Sequence, residues 1–537
     1  MGSIWRFSTV AALSLCAGIC TAQVVNYSGP LTSANPAGHN RYTVSGSVVN
    51  AVTGEPVRRA LVRLQGPEQH SAFTGADGRF EIPNVLEGSY MPNAQRPGFF
   101  EEQPRNGLIQ PRMFVVSASI APLVLKLSPE SALQGHAGDD KGEPIEDLQI
   151  QLVQPQIISG RRSLQPAQMA TTDENGDFLI EGLQPGEYLV RSLQRPVEEL
   201  FNVFQHRGEV YPQRYYPDAV DLSSAQPLAI RPGETARADF KLSPVPAFRV
   251  SGVAGPAPNG AMISVEDETG QEVGMNSFGP GNGRWVTPLL PSGSWTISFR
   301  TNGAPNGGEY FGRVSVNVDN AEVRNLQVPL ASVPSIPVQV LNGPETGQPN
   351  LQLRLISRST NQNGQSEFYA GIDQKHPSGP LVIQGALPGN YRVVAQAGGP
   401  YCVASVSSGG TDFSNNDLVI SPGSNPAPLQ VSLRSDCAEL NLQMRSADTN
   451  AHASLLLVSD SNVFEPRPMM VQAGASFGGG TLPPGNYRLY TVADLSNLEY
   501  MNPEALRNLS AQEITLAPNQ KATVTIDVPG EGGSNAQ

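Results

Sequence analysis

Positive charge is in short supply in this sequence. Thirty-five Lys and Arg residues stand against 48 Asp and Glu, a formal net charge of −13 over 537 residues. That balance argues against nucleic acid or an anionic membrane surface as a partner, since either needs a basic face. Long apolar runs are also missing. The longest N-terminal run, Phe7 to Ile19, falls short of the roughly 20 residues a spanning helix requires. With Arg6 before it and Cys20-Thr21-Ala22 after it, this run predicts a secretion signal over residues 1–22, cleaved after Ala22. Leu15 and Ile19, not small residues, precede Cys16 and Cys20, so no lipid anchor is expected and the protein should be periplasmic, envelope-associated or released.

Cysteine is nearly absent. Beyond the signal only Cys402 and Cys437 remain, in a compartment that permits disulfides. Pairing is expected to stabilise the fourth repeat by roughly 3–4 kcal/mol through loop closure; two buried thiols are the alternative. There is no P-loop, no dinucleotide fingerprint and no Cys-x-x-Cys pair, so no cofactor is expected. Helix signals are few. Asn502-Pro503-Glu504-Ala505-Leu506-Arg507 carries an N-cap residue, a Pro at the first helical position and an early Glu, and Pro196 to Phe204 is a weaker candidate.

What the chain does have is Gly and Pro, 54 and 47 residues, as many short strands joined by tight turns require. It also has a repeat. Gly176-Asp177-Phe178-Leu179-Ile180-Glu181-Gly182-Leu183-Gln184-Pro185-Gly186-Glu187-Tyr188 recurs in weaker form ending at Tyr90, Trp295, Tyr391 and Tyr487. The steps between these closing aromatics are 98, 107, 96 and 96 residues, the length of one β-sandwich. Each copy reads as a turn, a short alternating strand, then Leu-(Pro)-x-Gly-x-aromatic. The Gly is expected at positive φ, and the aromatic at a corner where it returns a hydrogen bond upstream and the chain passes between sheets.

The expected architecture is all-β, a tandem array of five immunoglobulin-like β-sandwiches. Its bounds are a linker at 23–41, units at 42–128, 129–243, 244–331, 332–434 and 435–529, and a disordered tail at 530–537. In the first unit, Val44 to Val49 and Ala60 to Leu64 read as strands around the turn Asn50 to Pro56, and Val124 to Leu127 closes the sandwich. Short Pro-containing joints predict an elongated, semi-rigid rod.

Gly-x-Val, Thr53-Gly54-Glu55-Pro56, Ala60-Leu61-Val62-Arg63-Leu64, Asp77-Gly78-Arg79-Phe80 and Leu86-Glu87-Gly88-Ser89-Tyr90 together resemble the carboxypeptidase regulatory-like domain, a transthyretin-like sandwich grouped with carbohydrate-binding-like folds. The resemblance covers 43–128 and extends to 132–243, where Gly135, Gly142-Glu143-Pro144 and Asp173 to Phe178 are kept. Copies three to five keep mainly the corner and the strand pattern. The resemblance implies a non-catalytic binding or spacer role, with a polysaccharide or a cell-surface protein as partner. It also raises the reading of an accessory module to a separate peptidase or outer-membrane transporter.

Three motifs invite chemistry and each has a simpler reading. His206-Arg207-Gly208-Glu209 has the His-x-x-Glu spacing of zinc peptidases, but a zinc site needs a third protein ligand and no His follows within the repeat. Gly474-Ala475-Ser476-Phe477-Gly478 fits a nucleophile elbow, yet Gly479-Gly480 follows where a helix must start, and the last His, His452, lies upstream. Asp173-x-Asn175-Gly176-Asp177 resembles the start of a calcium loop, while Phe178-Leu179-Ile180 continues as a strand. No metal and no catalytic residue is expected. Phe99 and Phe100 in copy one and Tyr211, Tyr215 and Tyr216 in copy two sit in Pro- and Gly-flanked stretches. They form the candidate ligand platform, because sugar rings stack on aromatic faces; packing of these loops on the sandwich is the simpler reading.

Overall fold

A computed structural model of the chain describes residues 40–527 except 102–113, 198–206, 257–259, 269, 271, 279–282, 302–307, 345–349, 359–366, 373–378, 380, 446–451, 473–475, 493–494 and 496. The expected signal, His206 and the tail therefore lie outside the described residues, as do most of the 23–41 linker and of the Pro196–Phe204 helix candidate. Arg195–Pro196 is a strand.

Described residues are almost entirely β. The first eight strands are β1 (Arg41–Asn50), β2 (Leu61–Gln65), β3 (His70–Phe73), β4 (Arg79–Leu86), β5 (Gly88–Gln95), β6 (Phe99–Glu101), β7 (Phe114–Val116) and β8 (Leu123–Pro129). They form two facing sheets, ordered β4-β1-β8-β6 and β3-β2-β5-β7. Period-two alternation is what makes these segments strands with one buried face: Val44 and Val48, Phe80 and Ile82, Val62 and Leu64, and Tyr90 and Ala94 all point into a single core.

Gly46 interrupts the apolar pattern of β1 for a steric reason. A Cβ there would lie 2.4 Å from the Leu123 carbonyl oxygen and 2.6 Å from the Phe80 ring, which packs over the bare backbone. Gly135 stands in the same relation to Phe178, with the Ala238 carbonyl only 1.8 Å from its Cβ position. The two glycines thus explain why Gly-x-Val and Asp-Gly-x-Phe travel together in the sequence.

The second set of strands repeats the plan with β9 (Ser131–Asp139), β10 (Gln149–Ile158), β11 (Arg161–Thr171), β12 (Asp177–Leu183) and β13 (Gly186–Ser192). Here β12 pairs with β9 in one sheet, and β10 pairs with β11 and β13 in the other. Further along, apolar residues gather in three more large clusters, built from residues 248–330, 336–433 and 438–526.

At the repeats closed by Tyr90, Tyr188, Trp295 and Tyr487 the chain changes sheets just before the closing aromatic, whereas the strands on either side of the Tyr391 corner belong to one continuous nine-stranded sheet; in all five the aromatic stands two residues after a glycine. Tyr188, Tyr391 and Tyr487 donate their hydroxyls to the carbonyls of Gln184, Leu387 and Pro483 at 2.7, 2.7 and 2.6 Å. The Trp295 indole does the same to Pro291 at 2.9 Å. Tyr90 sits equivalently after Leu86, but its buried hydroxyl has no hydrogen-bond partner among the described residues. The glycine is less uniform than expected. Gly88, Gly293 and Gly485 have φ of 153°, 154° and 158°, whereas at Gly186 and Gly389 the backbone stays outside the positive-φ region. The aromatic hydrogen bond four residues upstream, rather than a positive φ, is the more consistent part of the corner.

The joints are structural, not merely short. Only Glu130 separates β8 from β9. One sheet runs from the second repeat into the third, through Arg195–Pro196, Arg207–Tyr211, Val245–Phe248 and Leu290–Pro291. Val463 from the last repeat is buried in the cluster built from 336–433, where its carbonyl accepts from Ala395 N–H at 3.1 Å. The disulfide Cys402–Cys437 is formed, with Cα atoms 5.9 Å apart. It does not close within the fourth repeat alone: Cys402 opens the strand Cys402–Ser408 of the fourth cluster, and Cys437 directly precedes Ala438–Arg445, the first strand of the fifth.

The expectation of an extended rod is not met. The β10–β11 hairpin reaches the last two repeats, where Arg161 meets Ser357 and Arg162 meets Glu499. A straight file of units could not bring these residues together. The physical reason is the length of the hairpin: β13 covers β10 only over Ile150–Val153, and the next five residues project about 17 Å at strand rise.

Candidate binding face

The aromatic platform expected from the sequence is largely inside the protein. Tyr211 and Tyr215 are 9% and 1% exposed. Both belong to short strands, Arg207–Tyr211 and Arg214–Tyr215. Tyr216 packs edge-on against Phe240, ring centres 6.2 Å apart. Phe99 and Phe100 are half-buried on β6, and Phe99 packs on the first core. Apolar burial has taken these rings, so Tyr211, Tyr215 and Tyr216 are corrected to packing residues.

The structure exposes a different aromatic. Phe73 ends β3 with 68% of its surface open, on the outer face of the β3-β2-β5-β7 sheet. Strand pairing sets its surroundings. Phe73 lies opposite Leu61, which in turn lies opposite Gln95; the adjoining row is Ser71, Arg63 and Asn93, and Gln65 faces Met91 beyond it. Val115, 62% exposed, stands opposite Ser89 at the far edge. The reverse face of the same strands is core: Val62, Leu64, Tyr90 and Val116 are fully buried. The outer face is therefore backed by core and carries one open aromatic, apolar neighbours and a row of hydroxyl, guanidinium and amide groups.

The hairpin that carries Phe73 is anchored at its other end. Arg41 donates to both carboxylate oxygens of Glu68, at 2.8 and 3.0 Å, and His70 Nε2 stands 3.1 Å from the same group. The Arg41 guanidinium, aided by His70, holds the Glu68 carboxyl below the usual range. Asn93 Nδ2 donates to Glu101 on β6. Thr74, the residue after Phe73, is buried; its hydroxyl donates to Val57 O at 2.6 Å and accepts from Ala60 N–H at 2.8 Å. Phe73 is thereby held between a braced threonine and a charged clamp.

A depression of about 410 Å³ lies on the β12-β9 face of the second repeat, lined by Gln134, Thr171, Asp173, Asp177, Leu179 and Arg237. Its carboxylates are already engaged. Asp173 accepts the N–H groups of Asn175 and Asp177 at 2.9 Å each, which makes the calcium-like motif a hairpin turn. Asp177 takes His136 at 3.0 Å, and Arg237 donates to Asp239 at 2.8 Å. Among the described residues no three His, Cys, Asp or Glu side chains converge as a metal site. Of the elbow-like motif, Gly474 and Ala475 lie outside the described residues, and Ser476 opens the strand Ser476–Leu482 rather than a helix.

Sequence reasoning passed over Phe73 because His70 to Phe73 lies between a Pro-containing turn and the Thr74-Gly75 turn. The signal was nevertheless there: His70 and Ala72 alternate with Ser71 and Phe73, inward against outward.

No curated protein sequence matches this chain. Among solved structures, the chain is similar to the Bacillus anthracis TIE protein, at 12% identity over 93% of this chain and 75% of that one, with a TM-score of 0.19. It is also similar to GBS52, the minor pilin of Streptococcus agalactiae, at 15% identity, 38% and 96% coverage and a TM-score of 0.22. A third similarity is to putative polysaccharide binding proteins from Bacteroides thetaiotaomicron, at 12% identity, 28% and 76% coverage and a TM-score of 0.17. The family model of the carboxypeptidase regulatory-like domain matches residues 43–111, a span that includes most of β1, all of β2 to β6, and Phe73. Over that span the first sandwich of this chain is similar to the carboxypeptidase regulatory-like domain.

Proposed function

We propose that the chain is a non-catalytic secreted or cell-envelope protein, made of five sandwich units at 42–128, 129–243, 244–331, 332–434 and 435–529, that binds polysaccharide on the outer face of its first unit. The observation that carries this reading is Phe73, an open aromatic on an outer sheet face that also carries Arg63 on the neighbouring strand and Asn93 and Gln95 on the next. A sugar ring offers an apolar C–H face to stack on the phenyl and hydroxyls for the neighbouring donors and acceptors. A structural scaffold is the second reading, favoured by the sheet shared between the second and third repeats and by the burial of Val463 in the fourth core.

The test is a glycan-array screen with the whole mature chain, followed by titration of any hit. Phe73→Ala should weaken binding about tenfold, the equivalent of one stacked ring at roughly 1.4 kcal/mol. Equal binding by the variant would remove the face as the site. Absence of any glycan hit would leave the scaffold reading in its place.

A further inference from the structure

The β10–β11 hairpin contains a feature that the binding face does not use. Beyond Val153 its strands pair only with each other, from Gln154↔Gln165 to Ile158↔Arg161. It is a finger extending past its own sandwich. Ser159 and Gly160 turn it with φ of 50° and 74°, the conformation of a tight two-residue hairpin turn.

The tip is not left in solvent. The Gly160 carbonyl accepts the Met501 N–H at 3.0 Å, and Gly160 lies so close under the Tyr500 ring that a Cβ would be 2.4 Å from it. Arg162 donates to Glu499 at 2.7 Å. On the other side Arg161 donates to the Ser357 carbonyl at 3.3 Å. The receiving surface is built for the purpose: Tyr500 is buried in a small cluster of its own with Leu456, Tyr490, Leu495 and Leu506, apart from the main core of its repeat.

We infer that this finger is a clasp. It locks the second repeat onto the fifth, with a secondary hold on the fourth, and closes the intervening array into a loop that can open without any sandwich unfolding. The contact surfaces are a hairpin tip and a capping loop, so no strand of a main sheet has to separate when the clasp releases. Glycine is required at the tip twice over, for its positive φ and for the ring above it.

The experiment is a distance measurement in the full mature chain, with spin labels on Gln156→Cys and Asn508→Cys, both exposed positions. The unmodified clasp should yield one narrow, short-distance population. Gly160→Val should lose at least half of it to a broad, longer distribution. Arg162→Glu should do the same, and Arg162→Glu combined with Glu499→Arg should restore the narrow peak. Circular dichroism of each variant should be unchanged, which separates opening from unfolding. A broad distribution in the unmodified chain would overturn the inference, as would a narrow one that survives both Gly160→Val and Arg162→Glu.

Discussion

A single hydroxyl does the same work in two repeats. Thr172, like Thr74, is buried, donates to a carbonyl (Ile145 O, 2.6 Å) and accepts an N–H (Leu148, 2.9 Å). It ties the turn ahead of β10 to the end of β11. Thr172→Val keeps the shape and strands both backbone partners, so it should cost roughly 2–4 kcal/mol. Because an array of domains does not unfold as one two-state unit, the loss should be read as reduced hydrogen-exchange protection in β9 to β13. Unchanged protection there would contradict the assignment. A second residue-scale effect is alkaline. Burial pushes the Tyr391 phenol up to about 12, whereas in the unfolded chain it titrates near 10. The folded state therefore favours the neutral ring, and the stability this confers is complete below about pH 10 and is lost as pH rises toward 12. Alkaline unfolding of the fourth core should start above about pH 10. Tyr391→Phe should flatten that part of the profile while costing stability at neutral pH through the Leu387 carbonyl it leaves unpaired.

Among elements, the strands were the most legible part of the sequence. Val44 to Val49, Ala60 to Leu64 and Val124 to Leu127 all fall on strands or start one residue before them, because a two-residue apolar period has only one way to bury its face. The Asn502 cap and Pro503 likewise mark a real 3-10 turn, Pro503–Leu506. The aromatic platform was misread because exposure is a property of the neighbours, which a linear pattern does not supply: Tyr215 and Phe73 look alike on paper and differ in what packs over them. The cysteines illustrate the same point. Their pairing followed from compartment and count, but that the bridge crosses the joint between the fourth and fifth cores depends on where Cys437 falls relative to Ala438. With the cysteines 35 positions apart in sequence, replacing both by Ala should cost roughly 3–4 kcal/mol. The loss should be largest in the fourth core, and the denaturant midpoint of that transition is the measurement; no shift would mean the loop is already constrained by other contacts.

For the whole molecule, the joints decide behaviour. Val463 belongs by sequence to the last repeat and by packing to the fourth core, and Arg392 holds the same loop by donating to the Asn462 and Phe464 carbonyls. The two cores should therefore lose structure together. Val463→Asp places a charge in the fourth core, so protection should fall in Leu351–Ser357 and Gly389–Ala397 as well as in the substituted loop. Loss confined to residues 460–466 would show that the insertion is superficial.

Taken alone, the sequence determined the all-β class, the period of about a hundred residues, the closing aromatics and the resemblance of the first repeat, because each is written in local chemistry: alternation, turn residues and one ring per corner. Tertiary structure alone decided which aromatics face solvent, how the repeats are welded and that a hairpin from the second reaches the fifth. Those outcomes depend on what lies across space from a residue, and contacts between residues some 340 positions apart leave no periodic trace along the chain.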